Sequence, residues 1–365
     1  MKIDLIIGTR PEAIKLAPVY RRLKTYPGME PRIVFTGQHD ELMKGIPSAF
    51  DISPDFQLEV MRKGQSLAAL TGRLLTALDQ HNQDNKPDLV LVQGDTTSAF
   101  VGGLAAYYHK IPVGHVEAGL RTEDIYAPFP EEFNRRGIGQ LATVHFAPTP
   151  RAFQLLKQEG HEEVHLTGNT VVDAIQFMRE KILDSPVDLP FSIPPGQKMA
   201  LVTVHRRENH GEGLKSICKA LQTINATHSD LHLVLPVHLN PEVREVIHQE
   251  LGNRERIHLI EALSYPEMVA ALDQAHLLIT DSGGLQEEAP AFGLPTVVLR
   301  EKSERMEAVE QGIATLVGND EEKIIQAVDQ AYRRNASASE MVNPFGDGLA
   351  SMRIADIIAH LFMPA

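Results

Sequence analysis

Short apolar runs, each closing on a polar loop that opens a helical pattern, recur along this chain and constrain its fold more than any other feature. Residues 2–7 read as a buried strand ended by Gly8, and residues 31–35, 88–93 (DLVLVQ), 111–116, 144–147 (VHFA) and 164–168 follow. Leu67, Leu70, Leu74, Leu75 and Leu78 mark an amphipathic helix over 66–80, and residues 151–159 suit another. A second series runs through 199–204 (MALVTV), 231–237, 257–260 and 277–280. Strands this apolar, alternating with helices, belong to parallel sheets covered on both faces, so an α/β class is expected.

At 365 residues the chain exceeds what one core usually fills. The stretch 185–197, with Pro186, Pro190, Pro194 and Pro195, separates the two series and reads as a linker. The expected division is 1–184, 185–348, and a C-terminal helix over 349–365 packing back on the first domain. A net charge of -13 and a pI near 5.7 argue against nucleic-acid or anionic-membrane partners. They leave room for a small anionic ligand, which answers to local donors rather than to net charge. A single cysteine, Cys218, provides neither an intrachain disulfide nor a thiolate zinc site. No apolar run is long enough to span a membrane, and MKIDLIIGTR enters a strand without the profile of a secretion signal. A cytoplasmic location is expected.

Chemistry is expected where the strands end, because ligands of open α/β sheets bind at that edge. After residues 2–7, Thr9 suits a helix N-cap with Glu12 three residues on, and Arg10 and Lys15 supply cations. That corner suits a phosphate; a plain strand-to-helix turn with surface cations is the competing explanation. Asp95 follows the strand 88–93, either as a functional carboxylate or as a cap for the helix opened by Thr96, Thr97 and Ser98. Glu117 follows the next strand, so two carboxylates leave successive strand ends. The stretch 115–136, HVEAGLRTEDIYAPFPEEFNRR, then sets Glu117, Glu123, Asp124, Glu131 and Glu132 beside Arg121, Arg135 and Arg136. Such a grouping can separate carboxylate pKa values into an acid and a base, or can be a solvated, salt-bridged loop. In the second series, His205 leads HRREN after residues 199–204, and PVHLNP follows 231–237. Asp281 and Ser282 close the strand 277–280; Gly283 and Gly284 allow close backbone approach, and a helix is expected from Leu285. A diglycine junction with a serine suits a pyrophosphate, and Glu288 is placed to accept from ribose hydroxyls. Arg300 and Arg305 fall near the same edge.

The segments GTRPEAIKLAPV, VQGDTTS, HVEAGLRT, PFPEEFNRR, TGNTVVD, VTVHRREN, PVHLNP and TDSGGLQEEAPAFGLPTVVLR occur in order over residues 8–300. In these segments the chain resembles the bacterial, non-hydrolysing UDP-N-acetylglucosamine 2-epimerases. The resemblance implies a GT-B architecture, two Rossmann-like domains with the sugar nucleotide in the cleft they form. It implies reversible conversion of UDP-GlcNAc to UDP-ManNAc, by elimination of UDP to a 2-acetamidoglucal and re-addition. It further implies a homodimer, no metal or nicotinamide cofactor, and a product that supplies surface polysaccharides. On the same basis Asp95, Glu117 and Glu131 serve the proton at C2, with the base among them left open, and Lys15 and His205 join them as catalytic groups. Arg10, Lys15, His205, Ser282, Gly283 and Gly284 are the donors to pyrophosphate, with Glu288 on the ribose and Arg305 near the phosphates. Two departures stand out. The family's TERPE segment is here Ser303-Glu304-Arg305-Met306-Glu307. Of the residues that hold a second, activating UDP-GlcNAc in many members, Gln38 and His39 match, while Glu41 replaces a glutamine and Gly64 an arginine. Hydrolysing relatives, which release ManNAc and UDP, therefore remain an alternative. A GT-B glycosyltransferase has no need of Asp95, Glu117 and Glu131.

Overall fold

The computed structural model describes residues 1–37, 45–62, 64–122, 124–238, 240–334 and 342–363, apart from the side chain of Arg207. Gln38, His39 and Glu41 lie outside the described residues. The chain divides into two compact units, residues 1–177 with 345–365, and residues 178–344.

The first unit is built on a seven-stranded sheet of order β3-β2-β1-β4-β5-β6-β7, with every pairing parallel. The strands are β1 (Lys2–Ile7), β2 (Glu30–Phe35), β3 (Phe56–Gln57), β4 (Leu89–Gln93), β5 (Val113–Val116), β6 (Val144–Ala147) and β7 (Val164–Leu166). Among them run α1 (Arg10–Leu23), α2 (Ile46–Ala49), α3 (Leu67–Asn85), α4 (Thr97–Tyr108), α5 (Glu131–Leu141), α6 (Pro150–Gln158) and α7 (Thr170–Asp184). All five residues of β4 are buried, as its apolar composition requires in a sheet covered on both faces. From β1 the chain proceeds outward to β2 and β3, then crosses to β4 on the other side of β1. The loops after β1 and β4 therefore diverge at a topological switch point. Asp4, fully buried within β1, is matched by Arg32 Nε at 2.6 Å and His81 Nε2 at 2.7 Å, which supplies the partners a buried carboxylate needs.

The second unit has a six-stranded parallel sheet of order β10-β9-β8-β11-β12-β13. Its strands are β8 (Lys198–Thr203), β9 (Leu231–Pro236), β10 (Ile257–Ile260), β11 (Leu277–Thr280), β12 (Thr296–Val298) and β13 (Ala314–Leu316). Its helices are α8 (Glu212–Thr227), α9 (Pro241–Leu251), α10 (Tyr265–Gln274), α11 (Gly283–Glu288), α12 (Met306–Glu310) and α13 (Glu321–Arg333). Here the switch point separates β8 from β11. Leu189, Phe191 and Ile193 of the proline-rich stretch pack on this unit's core. The tail forms α14 (Ala350–Phe362) in the first unit, beside α1. Asp173 of α7 caps it, accepting from Ser351 N at 2.7 Å and Ser351 Oγ at 2.6 Å.

Candidate functional site

In the first unit, Glu117 directly follows β5 and its backbone lies in the left-handed region, with φ 63°. That conformation costs a side-chain-bearing residue on the order of 1 kcal/mol, a strain that collects at functional sites. The buried Glu117 carboxylate accepts from Lys15 Nζ of α1 and from Gln93 Nε2, the latter at 2.9 Å. Register explains the second contact, because Gln93 ends β4 opposite Val116 of β5. Asp95 lies just beyond β4. Thr96, not Asp95, caps α4 through Oγ1 and Ala99 N–H at 3.1 Å. Asp95 is instead clamped from α5, by Arg135 Nη2 on its carboxylate at 2.6 Å and Asn134 Nδ2 on its carbonyl at 2.9 Å. His115 Nε2 donates to the preceding carbonyl, that of Gly94, at 2.8 Å.

The arginines of the 115–136 stretch divide among three carboxylates, with Glu132 shared by Arg136 and, at 3.4 Å, Arg135 Nη1. Arg135 goes to Asp95, Arg136 to Glu132 at 2.7 Å, and Arg121 to both oxygens of Glu159 at 2.7 and 2.6 Å. Arg121 holds the Glu159 carboxyl below its usual range. Glu132 is fully buried and also accepts from Thr122 N–H at 3.0 Å, a structural assignment. Glu131 opens α5 and is half-buried, while Glu123 lies outside the described residues. The two cations after β1 divide as well: Lys15 turns to Glu117, and Arg10 stays half-buried in the first turn of α1.

Glu12 does more than close a capping box. Its buried carboxylate accepts from Gly8 N–H at 2.7 Å, Thr9 N–H at 2.6 Å, Thr9 Oγ1 at 3.0 Å and the hydroxyl of Thr96. It thereby ties the loop after β1 to the loop after β4, across the switch point. Burial pushes its pKa up to about 7, and these hydrogen bonds work in the opposite direction. Burial also holds two nearby imidazoles neutral, taking His115 down to about 4 and His145 down to about 3.

In the second unit, His205 follows β8 and Asp281 follows β11, so they flank that sheet's switch point. The Asp281 carboxylate is fully buried, accepts from Arg206 N–H at 2.8 Å and Asn209 Nδ2 at 3.0 Å, and lies 3.0 Å from His205 Nδ1 as an ion-pair contact. Helix α11 starts at Gly283, two residues earlier than expected, because the diglycine adopts helical backbone rather than an open turn. Ser282 is its N-cap, its side chain capping nothing and its own N–H given to Thr280 Oγ1 at 2.9 Å. A Cβ on Gly283 would lie 3.0 Å from Arg305 Nη1 and 3.3 Å from Arg206 Nη2, so two guanidiniums crowd the residue. Burial first, and then Arg300 and Arg305, lower the pKa of Arg206. Arg305 Nε is paired with Glu287 at 2.6 Å and Arg300 Nε with Glu208 at 3.0 Å. Burial works to raise the Glu304 carboxyl, but Arg305 and Arg300 outweigh it and hold it at about 2. Gly284 is exposed and Glu288, at the end of α11, is buried.

The first unit thus carries two carboxylates at adjacent strand ends, one of them beside a buried ammonium, suited to moving a proton. The second carries several guanidiniums and a histidine at one sheet edge, suited to an anion. Glu12, Gln93, Arg135, Arg206 and Asp281 have places in these clusters that sequence reasoning did not give them. Gln93, Arg206 and Asp281 carried a signal, a polar residue at the last position of a strand or shortly beyond it; Glu12 and Arg135 lie inside α1 and α5 and carried none.

A family model described as UDP-N-acetylglucosamine 2-epimerase matches residues 21–359. The UDP-N-acetylglucosamine 2-epimerase of Bacillus subtilis is 45% identical over 364 residues, covering 98% of this chain and 94% of that protein. The crystal structure of the Neisseria meningitidis UDP-GlcNAc 2-epimerase, bound to UDP-GlcNAc, is 40% identical with a TM-score of 0.92, over 99% of this chain and 100% of that one. That of the Methanocaldococcus jannaschii enzyme, in complex with UDP-GlcNAc and UDP, is 33% identical with a TM-score of 0.82, over 99% and 100%.

Proposed function

Since the chain belongs to the UDP-N-acetylglucosamine 2-epimerase family, with a GT-B-type pair of Rossmann-like units, we propose that it reversibly epimerises UDP-GlcNAc to UDP-ManNAc by elimination and re-addition of UDP. A C2 proton is far too weakly acidic for simple exchange. Its removal becomes feasible when the C1–O bond breaks in the same process, the electron pair leaving with UDP and a 2-acetamidoglucal remaining. UDP then adds back as a proton returns to the other face of C2.

The observation that carries this proposal is the carboxylate set Asp95 and Glu117 at adjacent strand ends, each fixed by its own cation, Arg135 and Lys15. Acid and base must alternate at C2, and Asp95, Glu117 and Glu131 are the groups assigned to it, with Lys15 governing the charge of Glu117. Arg10, His205, Ser282, Gly283 and Gly284 are assigned to the departing pyrophosphate, Glu288 to the ribose and Arg305 to the phosphates. Each well-placed donor to that developing charge contributes roughly 3 kcal/mol.

Hydrolysis to free ManNAc and UDP is the second possibility, favoured by Gly64 where activated relatives carry an arginine. Product analysis separates the two. UDP-ManNAc formed at equilibrium with UDP-GlcNAc supports the proposal; free ManNAc rising in step with UDP overturns it. We further assign the protein a homodimeric state, a cytoplasmic location and a place in polysaccharide synthesis, on family membership. None of the described helices is long and apolar enough to cross a membrane.

A further inference from the structure

We propose that Asp281 is a positioning residue that commits His205 to the tautomer with its proton on Nδ1, leaving Nε2 as the ring atom that serves the bound diphosphate. The assignment rests on the function proposed above, because it needs an anionic leaving group at this sheet edge. During elimination the ring starts as the imidazolium, with Nδ1–H on Asp281; Nε2–H gives its proton to the diphosphate oxygen that takes the C1–O electron pair, which leaves the neutral Nδ1–H ring, and on re-addition Nε2 takes that proton back.

The two oxygens of Asp281 have different tasks. Oδ1 faces His205 Nδ1 at 3.0 Å. Oδ2 accepts from Arg206 N–H at 2.8 Å and Asn209 Nδ2 at 3.0 Å, and so braces the loop after β8. The His205 backbone N–H is shared between them, at 3.1 and 3.0 Å. Burial opposes the charge on Asp281, yet the hydrogen bonds from His205, Arg206 and Asn209 outweigh it and hold the group below the usual carboxylate range. An ionised carboxylate only accepts, so the ring nitrogen opposite it must carry hydrogen. His238 lies beside the same ring, centroids 5.9 Å apart and planes 22° apart. Nε2 has no hydrogen-bond partner among the described residues, and the His205 side chain is 39% exposed. The next residue, Arg206, is one of the guanidiniums over Gly283. A carboxylate behind one imidazole nitrogen and an open edge before the other is the arrangement by which buried acids orient catalytic histidines.

Asp281→Asn in the full chain tests this. An asparagine oxygen in the Oδ2 place keeps the contacts to Arg206 and Asn209, while its amide sets a donor against His205 Nδ1 and favours the other tautomer. Imidazole 15N shifts, recorded where the ring is neutral, should report Nδ1–H in the wild type and a move to Nε2–H in D281N. Epimerase turnover should fall about 100-fold or more in D281N. In a H205Q background the same substitution should cost less than about two-fold, since the oriented group is already absent. An Nε2–H wild-type ring overturns the assignment whether or not D281N folds. So does an equal loss with and without His205, which makes Asp281 a loop brace alone. A wild type that turns over no UDP-GlcNAc sinks the proposed function instead, and the tautomer measurement still decides the pairing.

Discussion

Lys15 and Glu117 stand 102 positions apart in the sequence and form an ion pair in which each side chain is only 7% exposed. The pair joins the first turns of α1 to the end of β5, and it sets the electrostatic environment of the carboxylate assigned to C2. Removing one member of a buried pair leaves the other's charge poorly compensated. Lys15→Met should therefore cost about 3–5 kcal/mol of unfolding free energy in urea. The double variant K15M/E117Q should recover part of that loss, because the stranded charge is gone.

Glu117→Gln retains the size and polarity of the side chain but cannot take a proton. Turnover should fall at least about 100-fold, while UDP affinity by calorimetry stays within a few-fold of wild type. A nearly active variant would show Glu117 to be structural.

Arg135 fixes the Asp95 carboxylate from α5. Arg135→Leu removes that clamp and leaves Lys15 and Glu117 in place. A misplaced catalytic group typically costs on the order of 10- to 100-fold, so kcat should drop by that amount, with the UDP Kd little changed.

Glu12 gives stability a pH dependence of defined sign. Its pKa rises on folding from 4.5 to about 7, so the folded state holds the proton more tightly. Its contribution to stability is complete below pH 4.5 and is lost as the pH climbs to about 7. Glu12→Gln does not titrate. The stability of E12Q relative to wild type should increase across that window, by up to about 3 kcal/mol, and stay level above it. A difference that is flat with pH would mean the carboxyl titrates normally.

His115 has the opposite sign. Burial lowers its pKa from 6.5 to about 4 on folding, so its contribution is present above pH 6.5 and is lost as the pH falls through about 4. His115→Asn keeps a donor for the Gly94 carbonyl without the titration. Its unfolding free energy should fall less steeply than wild type between pH 6.5 and 4, as measured by denaturant titration at each pH.

The strand-and-helix alternation was legible because a parallel strand buried on both faces has to be apolar throughout, as LVLV in β4 is. Asp95 and Glu117 were legible as strand-end carboxylates for the same reason, since function and strand ends coincide in such sheets. The partners of those carboxylates were not. Lys15 looks like a phosphate cation next to Arg10, and only the packing of α1 on the sheet turns it toward Glu117. Glu12 looks like a capping residue, and its contact with Thr96 depends on β1 lying beside β4. Strands β12 and β13 are three residues each, too short to leave a period. Helix α13 has its signal in the buried Ile324, Ala327, Val328 and Ala331 at helical spacing, a core pattern that no functional motif accompanies. The start of α11 at Gly283 ran against glycine's usual preference for turns, and the two guanidiniums over that residue explain why it carries no side chain.

Removal of the C2 proton as UDP leaves is tested most directly by incubating the protein with UDP-GlcNAc in D2O and following C2 by NMR and mass spectrometry. Deuterium at C2 of both UDP-ManNAc and recovered UDP-GlcNAc is the expected result. UDP-ManNAc that forms with its original C2 hydrogen intact would contradict it.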